Sequence, residues 1–251
     1  MKERCTAILL AAGVGKRMGS DVAKQYMSLC EKPVIWYGLQ AFEKSAIIDD
    51  VILVVGKEEV DYVNCEVVKK YGFTKVDAVI EGGAERFLSV NNALQVIAQD
   101  KLSVPNRDGY VFIHDGARPL VTERILEDTF AAAIEHKACC AAVKAKDTIK
   151  IADGNGFAIT TPDRDSLYIV QTPQVFSVPL ILGAYGRLME SLQELEAAGV
   201  KITDDAMVVE HMLKAPVKMV EASYENIKIT TPEDMDVAAR FLSRKQGGFP
   251  A

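Results

Sequence analysis

The chain has 251 residues, 49% of them apolar and 25% charged, and a formal net charge of −6. That length and composition fit one large α/β enzyme domain, while the acidic balance argues against a general nucleic-acid binder, which presents a basic surface. No apolar stretch approaches the roughly 18 residues of a membrane span, the opening residues carry no secretory pattern, and five cysteines without metal-ligand spacing read as reduced thiols of a cytoplasmic protein.

Ile8, Leu9 and Leu10 form a short continuous apolar run, which suits a strand buried on both faces. The chain leaves it through Ala11, Ala12, Gly13 and Gly15, where so little side chain intervenes that backbone N–H groups can close around a phosphate. Arg17 and Lys24 add positive charge at the same place. Local basicity in an acidic protein points to a small anionic ligand, and the stretch reads as a nucleoside triphosphate site. It lacks the Lys-Ser/Thr ending of a Walker loop, and only Gly13 and Gly15 match a dinucleotide fingerprint. From these residues alone a plain glycine turn stays open.

Strand-like runs recur at Val51–Val55, Val76–Ile80 and Tyr110–His114, with helical spacing around 34–45, 58–71 and 85–98. Phe87, Val90, Leu94 and Ile97 make the clearest stripe. Alternation of this kind predicts βαβ units and a mainly parallel sheet, with ligands beyond the carboxyl ends of the strands. Two strand ends carry candidate chemistry. In Glu81–Arg86, Gly82 and Gly83 allow close backbone approach, and with Ala84 and Ser89 this loop could read a base edge; an ordinary strand-to-helix turn is the alternative. After the strand ending at His114, Asp115 is placed to hold Mg²⁺ through one carboxylate oxygen, and Arg118 offers a planar fork for a second phosphate. A surface Asp–Arg pair in a tight turn is the alternative there. His114 reads as a packed strand residue, and three histidines in no Ser/His/Asp or zinc pattern remove the covalent-hydrolase and zinc readings.

Beyond residue 140 the pattern changes. Ala141–Lys146, Thr148–Ala152 and Phe157–Thr161 read as strands, the last two joined by the turn signal Asp153–Gly156. Such a hairpin is too small to bury the face carrying Ile149 and Ile151, so this arm, about 144–168, is expected to meet a second subunit in a homodimer. Asp147, Thr148, Asp163 and Arg164 lie on it. Gln171–Gln174 read as a polar loop after Tyr168–Val170, Thr203–Asp205 as a helix cap, and Val217–Ala222 as a strand between helices near 178–198, 204–213 and after Thr231. Asn226–Lys228 again bring a cation to a strand end. Thr231, Pro232 and Asp234 have the spacing of an N-cap, a first-turn proline and a capping acid. A frayed tail, 246–251, ends what reads as one domain over 1–251.

The motifs A-A-G-x-G-x-R-M with K-Q-Y, G-G-x-E-R-x-x-S-V, H-D-G-A-R-P, Q-T-P-Q-x-F, T-D-D-A and N-I-K-I-T-x-P-E-D occur in that order between Ala7 and about Leu242. Together they resemble the 2-C-methyl-D-erythritol 4-phosphate cytidylyltransferases of the non-mevalonate isoprenoid pathway. The resemblance implies a Rossmann-like three-layer nucleotidyltransferase with a mixed, mostly parallel sheet and a projecting β-arm, a homodimer built with that arm, CTP as donor and Mg²⁺ as cofactor. It implies that Ala11, Ala12, Gly13 and Gly15 contact CTP through backbone, with Arg17 and Lys24 on its phosphates and Gly83, Ala84 and Ser89 at the cytidine. Asp115 would hold the metal and touch the acceptor. Arg118, Thr172 and Lys228 would line the acceptor site, completed by Thr148 and Arg164 of the other subunit, and Arg17, Lys24, Asp115 and Lys228 would carry the catalysis. Ala84 stands where relatives often carry a polar residue, Ala23 where Pro is common, and Glu225 where an Asp can assist the metal. A sister family makes CDP-ribitol from ribitol 5-phosphate; the Ala11–Gly15 opening, Glu85-Arg86 and Gln171–Pro173 favour the methylerythritol enzyme. A non-catalytic nucleotide sensor would explain the glycine loops but not Arg118, Thr148 and Arg164.

Overall fold

The computed structural model describes residues 3–13 and 23–245. In chain order its elements begin with β1 (Cys5–Ala11), β2 (Ser28–Leu29), β3 (Lys32–Pro33), α1 (Val34–Lys44), β4 (Asp50–Val55), α2 (Val60–Val63), β5 (Val76–Glu81), α3 (Arg86–Ala98) and β6 (Tyr110–Asp115). They continue with α4 (Glu123–His136), β7 (Ala138–Lys144), β8 (Ile151–Ala152), β9 (Ala158–Thr160), β10 (Tyr168–Ser177), α5 (Val178–Ala197), α6 (Asp205–Leu213), β11 (Lys218–Glu221) and α7 (Pro232–Lys245).

The period-2 geometry of a strand sends alternate side chains to opposite faces. Leu9, Leu53 and Phe112 of β1, β4 and β6 therefore enter one apolar cluster with Leu39 of α1 and Leu126 of α4. Ile8, Ile52, Val54 and Ile113 enter another with α3, α5 and α6, where the predicted stripe of Phe87, Val90, Leu94 and Ile97 is buried. Both faces of the sheet are covered, which is why these strands read as unbroken apolar runs. The seven-stranded sheet has the order β11-β7-β10-β6-β1-β4-β5. Its pairings are parallel except those of β10, which runs against both β6 and β7. The fold is the expected three-layer α/β arrangement with a mixed, mostly parallel sheet.

A third cluster joins Leu29, Val34, Leu120, Ile229 and Ala238. It draws α7 over the β2–β3 hairpin and brings 226–229 back to the carboxyl edge of the sheet. The Asp234 carboxylate accepts the N–H groups of Thr230 at 2.7 Å and Thr231 at 2.9 Å, so the predicted capping acid does close the start of α7.

The expected helix around 58–71 is helical from Val60, as one α-helical turn, Val60–Val63, and a π-helical stretch, Asn64–Lys69. Two expectations need correction. Gln171–Gln174 is not a loop after a strand: β10 runs through it to Ser177, with a register break between Val170 and Gln174. A bulge takes residues out of the ladder, so Pro173 sits there without breaking the strand. The arm is also smaller than its sequence suggests. β8 and β9 are two and three residues long, closed by Asp153, whose Oδ1 accepts the N–H groups of Asn155 and Phe157. Ile151, Phe157 and Ile159 are 50%, 73% and 67% exposed on it.

Candidate active site

The carboxyl ends of β1, β5 and β6 converge on one edge of the sheet. The β5–α3 loop packs directly on the loop after β1: a Cβ at Gly82 would stand 2.5 Å from the Cβ of Ala12. One at Gly83 would stand 2.4 Å from the Cβ of Leu88, so neither position admits a side chain without movement. The Ser89 hydroxyl accepts the Gly83 N–H at 3.0 Å and donates to the Glu85 carbonyl at 3.2 Å, which fixes the shape of this turn. Between the two loops lies a cavity of about 240 Å³, lined by Ala11, Ala12, Gly13, Lys24, Gly83, Ala84 and Ser89 among others.

Asp115, 7% exposed, stands at the floor of that cavity. Arg86 Nε donates to its Oδ1 at 3.2 Å, and Lys228 Nζ meets its Oδ2 at 2.7 Å. Burial by itself would raise the Asp115 carboxyl, but the charges of Arg86 and Lys228 outweigh it and hold the group ionised, well below the usual carboxylate range. Arg86 carries its other end to Asp205, with Nη2 2.7 Å from Oδ2.

The backbone behind Asp115 is set by a proton chain that the geometry makes unambiguous. His114 Nε2 lies 3.1 Å from the Arg118 carbonyl, which only accepts, so Nε2 carries the proton. Nδ1 is then an acceptor and takes the Thr172 O–H at 3.0 Å. The same Thr172 oxygen accepts the Asp115 N–H at 3.0 Å. Burial pushes the His114 imidazole down to about 4, consistent with a neutral ring. His114 is a packed strand residue, as its position in an apolar run suggests.

The bulge of β10 anchors three loops at once. Thr172 holds the end of β6. Gln171 accepts the Asn226 side-chain amide at 3.0 Å and donates to the Ser223 carbonyl at 3.0 Å. Gln174 accepts the Ala206 N–H at 2.8 Å and donates to Asp204 at 2.9 Å, while Asp204 caps α6 by accepting the Met207 N–H. Arg118 Nη1 donates to the Asn226 carbonyl at 2.7 Å, tying the turn after β6 to the same assembly. These anchors surround a second cavity, of about 530 Å³, lined by Arg118, Thr172, Asp204 and Met207 among others. Arg86, Asp115 and Lys228 line both cavities.

Ala11, Ala12, Gly13, Lys24, Gly83, Ala84 and Ser89 thus gather at the first cavity, and Arg118 and Thr172 at the second. Gly15 and Arg17 lie outside the described residues. Lys24 Nζ donates to the Ile229 carbonyl at 3.0 Å, which links the opening loop to the segment that carries Lys228. Thr148 and Arg164 are exposed on the arm and line neither cavity; Arg164 bonds the Lys146 carbonyl at 3.2 Å. Glu225 is half-buried and also lines neither. Among the described residues no group of three or more His, Cys, Asp or Glu side chains is arranged to hold a metal ion. Sequence reasoning assigned no role to Arg86 and read Asp205 only as part of a cap. One signal was present: Asp204 alone caps α6, so a second acid beside it, at the start of a buried helix, called for a cation.

A family model described as IspD, 2-C-methyl-D-erythritol 4-phosphate cytidylyltransferase, matches residues 5–244. A relative bearing that description from Lachnoclostridium phytofermentans is 47% identical, over 97% of this chain and 98% of its own length. One from Lachnospira eligens is 48% identical, over 94% and 98%. The crystal structure of a 4-diphosphocytidyl-2C-methyl-D-erythritol synthase from Anaerococcus prevotii matches with a TM-score of 0.79 at 32% identity, covering 97% of both chains.

Proposed function

Because the chain belongs to the 2-C-methyl-D-erythritol 4-phosphate cytidylyltransferase family, we propose that its two joined cavities hold the two substrates of one cytidylyl transfer. The enzyme moves the cytidylyl group of CTP to 2-C-methyl-D-erythritol 4-phosphate, giving 4-diphosphocytidyl-2-C-methyl-D-erythritol and pyrophosphate in isoprenoid precursor synthesis. CTP occupies the first cavity and the polyol phosphate the second. The observation that carries this assignment is the wall they share: two anions can react only where positive charge offsets their repulsion, and Arg86 and Lys228 line both spaces.

Backbone of Ala11, Ala12, Gly13 and Gly15 cradles the triphosphate, with Arg17 and Lys24 as its cations. Gly83 and Ala84 offer backbone groups to the base, and Ser89 holds that loop in shape. Arg118, whose buried Nε has no hydrogen-bond partner among the described residues, and Lys228 receive the acceptor's phosphate. A phosphate monoester with a second pKa near 6 is already nucleophilic at neutral pH, so its oxygen attacks the α-phosphorus in line and pyrophosphate leaves. No general base is required. His114 supplies none, since both ring nitrogens are engaged.

A divalent ion fits as an arrival with the triphosphate rather than as a resident. Asp115 is the ionised carboxylate that lines both cavities, and Mg²⁺ is commonly held by one or two carboxylates plus substrate phosphates. When bound, the ion neutralises phosphate charge. Glu225 lines neither cavity, and Asp115 is the anchor we assign. The same reading makes the chain one domain whose arm, 144–168, pairs two copies, so that Thr148 and Arg164 complete the partner's acceptor cavity; the exposed apolar side chains of Ile151, Phe157 and Ile159 support it. A cytoplasmic setting accords with five unbridged cysteines and with no helix, among the described residues, long and apolar enough to cross a membrane.

Supplying CTP with either 2-C-methyl-D-erythritol 4-phosphate or ribitol 5-phosphate, and following pyrophosphate, tests the acceptor. Turnover with ribitol 5-phosphate alone would overturn it, and tight CTP binding without turnover would favour a sensor. The cavity assignment is tested by Arg118→Lys, expected to raise the acceptor's KM at least tenfold, about 1.4 kcal/mol, with little change in the KM for CTP. An equal rise in both would move Arg118 to the nucleotide side.

A further inference from the structure

Asp205 has no solvent exposure, yet it lines neither cavity. A carboxylate taken out of water needs partners in good geometry. It has two: Arg86 Nη2 at 2.7 Å on Oδ2 and the Tyr185 hydroxyl at 2.6 Å on Oδ1. Burial, reinforced by the Asp205 charge, pushes the Tyr185 phenol well above its ordinary value, so it stays a donor. Asp205 is not needed to start α6. Asp204 caps that helix, and Gln174 pins it to β10. What Asp205 does hold is one arm of a rigid fork whose other arm, Arg86 Nε, lies 3.2 Å from Asp115 Oδ1.

We infer that Asp205, backed by the Tyr185 hydroxyl, is a positioning residue for the transfer: it fixes the Arg86 guanidinium so that Nε–H is presented to Asp115 where the two cavities meet. The inference rests on the reading of that junction as the place where the substrates react. An arginine side chain has several rotatable bonds, and a triphosphate entering the first cavity competes for its charge. With Nη2 committed to a buried carboxylate, Arg86 can lend the nucleotide part of its fork without leaving Asp115. Asp115 then keeps a defined orientation against Arg86 even as Lys228 turns to phosphate. Lysine in place of Arg86 has three N–H donors on one nitrogen, not two nitrogens set apart in a fixed plane, and so does not reproduce the Nε and Nη2 contacts to the two carboxylates.

The test is a mutant cycle with unfolding measured on every variant. Asp205→Asn should lower kcat about 10–100-fold, as loss of a supporting partner commonly does, while both KM values stay close to wild type. In the Asp115→Asn background the same substitution should cost less than about threefold, because its route to the chemistry is gone. Arg86→Lys should resemble Asp205→Asn, and Tyr185→Phe should show a smaller loss in the same direction. An Asp205→Asn loss of the same size in both backgrounds, or wild-type turnover by Asp205→Asn, overturns the inference. If Asp115→Asn itself turns over normally, the reading of the junction fails and the inference falls with it. A crippled Asp115→Asn beside an unaffected Asp205→Asn would sink the inference alone. Should Asp205→Asn not fold, Tyr185→Phe, which removes one oxygen from a buried ring, carries the same cycle.

Discussion

Replacing Thr172 by valine separates two roles for this residue. If it touches substrate directly, losing the hydroxyl weakens binding and leaves the fold intact. The hydrogen bonds give it a second role: the hydroxyl accepts the Asp115 N–H and donates to His114 Nδ1, both at 3.0 Å, and Thr172, Asp115 and His114 are 4%, 7% and 0% exposed. Valine has nearly the same shape, so no cavity opens, but it leaves one buried donor and one buried acceptor unsatisfied. Each such group costs about 1–3 kcal/mol, which gives about 2–6 kcal/mol in all. For a chain of this size that lowers Tm by about 5–20 °C. Thr172→Ser, which keeps the hydroxyl, should retain most of the wild-type stability. Urea unfolding of wild type, Thr172→Val and Thr172→Ser measures it, with kcat taken under conditions where each variant is folded. A Thr172→Val protein within about 0.5 kcal/mol of wild type, with only its acceptor KM raised, would refute the positioning role.

Lys24→Ala should fold normally and lose about 10²–10³ in kcat, the usual cost of one preorganised donor; near-wild-type turnover would remove Lys24 from the chemistry. Acid should weaken the fold through His114. Burial lowers its folded pKa to about 4 from 6.5, so the unfolded chain binds the proton first, and the stability present above pH 6.5 drains away as pH falls toward 4. Between roughly pH 7.5 and 5 that amounts to about 2 kcal/mol, and Asp115, whose carboxyl is depressed below 3.8, adds its loss only at lower pH. His114→Gln should flatten this dependence in urea titrations, and an unchanged slope would point to another group. Phe157→Asp should convert a dimer into a monomer by sedimentation; a wild-type monomer at micromolar concentration would remove the arm from any interface. Mixing Arg164→Ala with Lys24→Ala subunits should restore part of the activity, since a mixed dimer keeps one intact site, and no recovery would argue against a shared site.

How far the sequence could be read depended on the range of the interaction. β1, β4 and β6 were legible because both faces of the sheet are covered, and nearly every residue in such a run is apolar. The α3 stripe was legible because a helix repeats locally. β10 was not. Its buried Val175 and Phe176 are separated from Tyr168–Val170 by a polar bulge with a proline, and that composition spells a turn to any local rule. The polarity is there because Gln171, Thr172 and Gln174 each anchor a different loop, a demand visible only after folding. The Arg86–Asp205 pair spans 119 positions and has no period at all. The arm erred the other way: its turn chemistry was plain, but only two and three residues pair on either side of that turn.

The cations of the site are held in place by the chain itself before any phosphate arrives. Lys24 rests on the Ile229 carbonyl, Arg118 on the Asn226 carbonyl, Lys228 on Asp115, and Arg86 between Asp115 and Asp205. Four positive side chains left to themselves on one edge of a sheet would spread into solvent and reorganise with each turnover. Anchored to carbonyls and two carboxylates, they already point inward, and an entering phosphate exchanges one oxygen partner for another. Preorganised charge of this sort lowers a barrier because little reorganisation is left for the reaction step. Two of the anchors, the Asn226 and Ile229 carbonyls, and one of the cations, the Lys228 ammonium, sit on the short return segment 226–229, which α7 packs against the β2–β3 hairpin. That segment is where fold stability and transfer rate are most tightly joined: a loosening of α7 frees a phosphate ligand of the chain and two of its supports together.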